Sequence, residues 1–248
     1  MHARLLAPIL LTLATASAAA HAQDTVGFGH RITPAEGQAS GNPIAWDYKV
    51  LRAAQDVFDE RVGAHAPGAT LAFRLPKPAL GQDGNQVEIV RAGHRATLTM
   101  VSNDAFALTR DAAVAQAGAV VKAANRNFDA GSYNEPVVQV RSPGLADNVR
   151  RLGDLRLACA AQMAMLKAEG FKVKAMLSVT NLFGLDLCDD TKVMDFDKPA
   201  GRFDTVTIED GEHRLVLPAR QSKAPRLGDK DWSDDARITY SMDEHDAK

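Results

Sequence analysis

Hydrophobic residues between positions 46 and 62 recur at the spacing of an α-helix. The stripe comprises Trp46, Val50, Ala53, Ala54, Val57, Phe58 and Val62. Acidic and basic residues together occupy the other faces, and Gly63 and Pro67 follow the stripe. A period of 3.6 residues places such a stripe on one side, so the pattern predicts an amphipathic helix. Its charge-balanced polar face is typical of a solvated helix, and a helix that binds a partner or a membrane surface is the alternative.

A second apolar stripe predicts a helix in the middle of the chain, from Asp154 to Glu169. The stripe comprises Leu155, Cys159, Met163 and Leu166. Asp154 is expected to be the N-cap of this helix, and Gly170 is expected to end it. Since Cys159 lies on the stripe, it is expected to face a packed interior rather than solvent.

Most other patterned segments are typical of short β-strands. Alternating or β-branched runs predict strands at 70–75, 86–91, 95–101, 136–141, 173–179, 203–208, 213–217 and 237–240. The first three strands are expected to form an antiparallel meander. Asp210-Gly211 between two of the later runs is a β-hairpin signal. Residues 112–124 remain ambiguous, because their alanines favour a helix whereas Val120 and Val121 favour a strand.

Together these elements predict an α+β fold with an antiparallel, β-rich and sandwich-like body. The body carries the N-terminal amphipathic helix and the central helix. One helix with a β-rich module is expected at residues 46–145, and a second at 146–242, followed by a charged tail at 243–248. The length permits either one continuous domain or two small ones.

The first 22 residues have the pattern of a secretory signal peptide. A short positive start precedes an apolar core from Leu5 to Leu13, and Ala20-His21-Ala22 matches an A-x-A cleavage site. The core is shorter than the roughly 20 apolar residues that a transmembrane helix needs. We therefore expect a periplasmic or secreted protein that begins near Gln23, with a flexible lead-in over residues 23–45.

Composition and charge narrow the classes of partner. With 46% hydrophobic and 24% charged residues, the chain has the composition of a folded globular protein, and no later segment is apolar for long enough to span a membrane. The formal net charge is −2 and no basic stripe is visible. A nucleic-acid partner is therefore not expected, because binding to phosphates requires a basic surface.

The two cysteines, Cys159 and Cys188, are predicted to form a disulfide. An exported protein passes through a compartment that oxidises thiol pairs. A redox role is disfavoured because the chain has no C-x-x-C motif. The bond is expected to attach the central helix to the segment that follows the strand at 173–179.

Candidate chemistry is sparse. The sequence has no nucleophile elbow, H-E-x-x-H motif, P-loop or dinucleotide fingerprint, and no cofactor is expected. Acidic residues near Trp232 are candidate Ca²⁺ ligands, with a solvated loop as the favoured alternative: Asp229, Asp231 and Asp234. Arginines near the start of the central helix are candidates for an anion site, although internal ion pairs are favoured: Arg150, Arg151 and Arg156.

The stretch Val140-Arg141-Ser142-Pro143-Gly144, continuing through Arg151-Leu152-Gly153-Asp154 to Cys159, resembles a group of exported proteins. These are uncharacterised proteins of Gram-negative bacteria whose β-rich portions are similar to carboxypeptidase-regulatory or transthyretin-like sandwiches. The resemblance covers residues 69–160. It implies an antiparallel sandwich and a non-catalytic accessory role, and it supplies no catalytic residues.

Two functional hypotheses follow. The first is a non-enzymatic exported protein that binds an unknown protein or small molecule in the cell envelope. The alternative is an envelope hydrolase whose catalytic triad is dispersed in sequence, drawn from residues such as Ser178, His213 and Asp204. A hydrogen-bonded Asp-His-Ser chain in a cleft would support the hydrolase, whereas scattered, exposed histidines would support binding.

Overall fold

A computed structural model of the chain describes residues 45–75, 86–110, 116–123, 135–169, 187–193, 196–199, 203–218 and 225–241. The predicted signal peptide, nearly all of the lead-in, the strand at 173–179 and the charged tail lie outside these ranges. Within them, the chain is a mixed α/β protein with three antiparallel sheets and one disulfide.

Both predicted long helices are confirmed. Helix α1 spans Tyr48–His65, and helix α2 spans Leu152–Glu169. A short helix, α3, spans Leu187–Asp190. Trp46 lies just before α1, in strand β1, rather than on the helical stripe. Asp47 caps α1, because its side chain accepts a hydrogen bond of 3.0 Å from the backbone nitrogen of Lys49.

The predicted N-cap at Asp154 is wrong, because α2 begins two residues earlier. The backbone nitrogens of Leu152 and Gly153 donate to the carbonyl oxygens of Ala236 and Asp234, at 2.9 Å each. These carbonyls satisfy the first N–H groups of α2, so no side-chain cap is needed. Asp154 is instead fully buried in the first turn and accepts hydrogen bonds from the backbone nitrogen and Oγ of Ser142, at 2.8 and 2.7 Å.

Eleven short strands form the three sheets among the described residues. They are β1 (Ala45–Asp47), β2 (Thr70–Arg74), β3 (Val87–Arg91), β4 (His94–Thr97), β5 (Ala105–Phe106), β6 (Val120–Ala123), β7 (Val137–Arg141), β8 (Val149–Arg151), β9 (Thr205–Asp210), β10 (His213–Pro218) and β11 (Arg237–Ser241). The sheet orders are β1-β6-β3-β4, β5-β2-β7 and β10-β9-β11-β8. The predicted β9–β10 hairpin is confirmed, with His213 opposite Asp210 and Gly211 at a φ of 60°.

The predicted three-stranded meander is wrong at its first strand. Strands β3 and β4 do pair, but β2 pairs with β5 and β7 in a different sheet. The buried rings of Phe73 and Phe106 stack across the β2–β5 pair with centroids 5.5 Å apart. Such cross-strand packing selects the partner of a strand, whereas alternation along the chain does not.

Helix α2 is shared by two clusters of buried side chains. Leu157, Ala158, Ala161 and Met165 pack with α1 and with the sheets of the first half of the chain. Leu155 and Cys159 pack with the sheet that contains β8–β11. Consequently, the helix of the second predicted module also completes the core of the first. Among the described residues, no helix is both long and apolar enough to cross a membrane.

The predicted disulfide is confirmed. Cys159 and Cys188 are bonded, with their Cα atoms 5.8 Å apart, and the bond attaches α3 to α2. Loop residue Gly228 packs against α3 so closely that a Cβ at that position would lie 2.6 Å from the Cβ of Asp189. The disulfide therefore fixes α3 where it meets the loop that precedes β11.

Replacing both cysteines by alanine is expected to lower the free energy of unfolding by about 3.5 kcal/mol. The reason is that the bond closes a loop of 29 residues in the unfolded chain. In thermal unfolding, this corresponds to a Tm lower by about 10 °C, with the far-ultraviolet circular dichroism of the native state unchanged. An unchanged Tm would contradict the stabilising role of the bond.

Candidate functional site

A cavity of about 810 Å³ lies between α1, α2, α3 and the loop segment 227–234. We call it the α1–α2 cavity. It is lined by Val57, Arg61 and His65 of α1, by Arg156, Leu157, Ala160, Met163, Ala164 and Lys167 of α2, by Leu187, Cys188 and Asp189 of α3, and by Leu227, Gly228, Lys230, Trp232 and Asp234 of the loop. The lining residues of α1 are four positions apart, and those of α2 follow a spacing of three or four with two adjacent pairs, which places them on the facing sides of these helices.

The wall of the cavity is largely apolar. Leucines 157, 187 and 227 and Met163 line the cavity together with the small side chains of Ala160 and Ala164. The volume is within the range of roughly 300 to 1,000 Å³ that is typical of small-molecule sites. An aliphatic chain that lies along this wall would therefore have part of its surface removed from water.

A histidine, a carboxylate and an arginine form a chain at one side of the cavity. Nδ1 of His65 lies 2.8 Å from Oδ2 of Asp234. The other oxygen of Asp234 accepts a hydrogen bond of 2.7 Å from Nη1 of Arg156. Burial works against ionisation of Asp234, but the hydrogen bonds from Arg156 and His65 outweigh it and lower the pKa of the carboxyl group. Asp234 is therefore an anion that accepts the Nδ1–H of His65.

Arg156 is held rigidly by the loop. Its guanidinium donates to the backbone carbonyls of Leu227, Asp229 and Trp232, at 2.6, 2.6 and 3.1 Å. Because its donors are used in this way, Arg156 positions Asp234 rather than binding a free anion.

The C-terminal end of α1 is pressed against the first turn of α2. A Cβ at Gly153 would overlap with the backbone oxygen of His65 and would lie 2.9 Å from the Cβ of Asp234. The backbone oxygen of His65 also accepts a hydrogen bond from Arg151. Only glycine fits at position 153, and this close approach brings His65 within reach of Asp234.

Three cations line the cavity without an ion pair in the described parts of the chain. Arg61, Lys167 and Lys230 are exposed, and the described residues offer them no acidic partner within bonding distance. The acidic residues among the described lining are Asp189 and Asp234, and Asp234 forms an ion pair with Arg156. The lining thus carries an excess of positive charge, although the whole chain has a formal net charge of −2.

The predicted triad residues are not brought together. His213 begins β10 and stacks on Trp232, with ring centroids 4.0 Å apart. Asp204 precedes β9 at the opposite end of the same hairpin, so that about 20 Å separates the two positions along the strand. Ser178 lies outside the described residues.

Two of the candidate calcium ligands, Asp229 and Asp234, form hydrogen bonds within the protein. Oδ1 of Asp229 accepts a hydrogen bond of 3.0 Å from the backbone nitrogen of Asp231, which closes a local turn. Asp234 bonds to His65 and Arg156. Within the described ranges, no group of three or more His, Cys, Asp or Glu side chains is arranged to hold a metal ion.

The internal pairing expected for the arginines is confirmed. Arg156 pairs with Asp234, and Arg151 pairs with Asp235 at 2.6 Å. Arg150 is buried, and its Nε lies 3.2 Å from the carboxylate of Asp197. A second cavity of about 630 Å³ adjoins Arg150, but this arginine also donates to three backbone carbonyls and is structural.

Comparison of the chain with protein-family models, with curated proteins and with solved structures found no match.

Proposed function

We propose that the protein is an exported binding protein that holds a small amphipathic anion in the α1–α2 cavity. The observation that carries this proposal is the combination, in one cavity, of an apolar wall with three unpaired cations among the described lining residues. A fatty-acid-like carboxylate has the matching chemistry, an aliphatic chain with an acidic end.

The apolar wall supplies most of the expected affinity. Each methylene group removed from water contributes about 0.8 kcal/mol. The lining of the cavity is anchored by the disulfide and by the Arg156 bonds, so little ordering of the protein is needed when a ligand enters.

The cations supply selectivity for an acid over a neutral alcohol. Arg61 on α1, Lys167 on α2 and Lys230 on the loop approach the cavity from different sides. Because exposed ion pairs are screened by water and salt, each cation is expected to contribute at most about 1 kcal/mol.

The cellular setting belongs to this proposal. The signal-peptide pattern of the first 22 residues supports a periplasmic or secreted protein, and the disulfide is compatible with export. The likeness of the β-rich body to exported sandwich proteins is part of the same proposal, in which the sheets support the helices that form the cavity.

Displacement of a fluorescent naphthalene sulfonate by decanoate tests the proposal. Wild-type protein is expected to bind decanoate more tightly than decanol. The double variant Lys167→Glu/Lys230→Glu should bind decanoate at least about tenfold more weakly, because attraction is replaced by repulsion. Ala160→Phe should also weaken binding, because its ring fills the space beside Met163.

Lys122→Glu is the matched control for charge. Lys122 is exposed on β6 and does not line the cavity, so this variant is expected to bind decanoate as the wild type does. Equal affinity of the wild type for decanoate and decanol, or wild-type affinity in both cavity variants, would overturn the proposal.

A further inference from the structure

His65 has an unused ring nitrogen in the α1–α2 cavity. Its Nδ1 is bonded to Asp234, and no described residue bonds to its Nε2. The side chain is 41% exposed and lines the cavity. A small molecule in the cavity therefore has access to Nε2.

The hydrogen bonds among His65, Asp234 and Arg156 allow His65 to act as a base. Asp234 is held as a carboxylate by Arg156, and a carboxylate can only accept the Nδ1–H of His65. In the neutral ring, Nε2 then has a free lone pair and can take a proton. The carboxylate also stabilises the imidazolium that forms when it does.

Water is the available nucleophile. The described lining contains no serine, threonine or tyrosine, and Cys188 is bonded to Cys159. A histidine oriented by a carboxylate can activate a water molecule in place of a side-chain hydroxyl.

We propose that His65 is a general base for the hydrolysis of carboxylic esters of amphipathic acids in the α1–α2 cavity. Nε2 removes a proton from water, and the water oxygen forms a bond to the ester carbonyl carbon. The bond from that carbon to the alcohol oxygen then breaks, and the alkoxide takes the proton back from Nε2. The products are a carboxylic acid and an alcohol, with no change in oxidation state.

One of the cavity cations is placed near the charge that develops in this step. The tetrahedral intermediate carries an oxyanion, and Arg61, one turn before His65 on α1, lines the same cavity without an acidic partner among the described residues. The inference rests on the proposed function for the placement of the acyl chain, and the acid released belongs to the class of ligand proposed above.

Hydrolysis of methyl octanoate, followed by chromatography of the released octanoate, tests the inference. An unactivated ester is chosen because surface lysines do not cleave it readily. His65→Asn retains a donor for Asp234 at the position of Nδ1 and removes Nε2. It is expected to lower kcat/KM about 100-fold, mainly through kcat, as removal of a general base does. His65→Gln is a second variant in case His65→Asn does not fold.

His94→Asn is the control, because His94 is exposed on β4 and does not line the cavity. It should hydrolyse the ester at the wild-type rate. A purely structural His65 would give variants with a lower Tm and no change in ester turnover per folded molecule, and this result would overturn the inference. Hydrolysis of methyl octanoate by the wild type at the rate found in buffer alone would also overturn the inference. If the wild type still bound decanoate, the proposed binding function would be unaffected by that result.

Discussion

Gly153→Ala is expected to lower the free energy of unfolding by about 5 kcal/mol or to prevent folding. The added Cβ would overlap with the backbone oxygen of His65, which belongs to the C-terminal end of α1. Relief of this overlap requires that α1 move away from α2 or that the first turn of α2 shift. Either movement breaks backbone hydrogen bonds at the start of α2 and disturbs the His65–Asp234 contact. Single substitutions lower the free energy of unfolding this much only when they disrupt the backbone or the core.

Gly63→Ala is the matched control in α1. A Cβ at Gly63 would meet no atom within 4 Å, and alanine has the higher helix propensity. This variant is expected to be as stable as the wild type or up to about 1 kcal/mol more stable. Urea unfolding followed by circular dichroism measures both variants. Equal stability of Gly153→Ala and Gly63→Ala would show that α1 does not pack on α2 as described.

Glu135→Gln is expected to remove from the wild type a pH dependence of the free energy of unfolding that is on the order of a few kcal/mol. Burial, and secondly the neighbouring Glu169, raise the pKa of Glu135 from 4.5 to about 8. The native state therefore binds this proton more tightly than the unfolded chain does. The resulting stability is fully present below pH 4.5 and is lost as the pH rises to about 8.

The test compares the free energies of unfolding of the wild type and Glu135→Gln, measured with urea at pH 5, 6.5 and 8. A difference is needed because buried Asp154, whose pKa is also raised by burial, gives a pH dependence of the same sign. The variant is expected to gain in relative stability as the pH rises. Glu60→Gln, on the exposed side of α1, should run parallel to the wild type. If the stability of Glu135→Gln changes with pH as that of the wild type does, the native state does not bind the proton of Glu135 more tightly than the unfolded chain does.

Elements with a strong local signal were predictable from the sequence. The stripes of α1 and α2 and the Asp210-Gly211 hairpin depend on residues that are near one another in the chain. The disulfide followed from the export pattern and from Cys159 on an apolar stripe. For the two helices and the hairpin, the physical cause, periodic burial or a turn, acts over a few residues.

Features that depend on distant contacts were not predictable. The N-cap was misplaced at Asp154 because the carbonyls that satisfy the start of α2 belong to residues about 80 positions later. His65 and Asp234 are 169 positions apart and have no motif spacing. The predicted triad pair is a different case, because the hairpin that Asp210-Gly211 predicts already places His213 and Asp204 at its opposite ends.

One clue to the cavity site was present in the sequence. Arg156 lies beside the apolar stripe at the start of the predicted helix, and Gly153 directly precedes that helix. A partly buried arginine requires acceptors, and a glycine at the start of a helix can indicate a close approach of another backbone. Together they point to a packed junction at the start of α2, although neither identifies the histidine that completes it.

Photolabelling with a diazirine-bearing decanoate shows whether an amphipathic anion occupies the α1–α2 cavity. After irradiation and digestion, mass spectrometry is expected to find the label on residues 157–167 or 227–234, with labelling abolished by excess decanoate and strongly reduced in Ala160→Phe. Competable labelling that maps instead to residues 139–150, beside the second cavity, or labelling that decanoate does not reduce, would contradict the proposed occupancy.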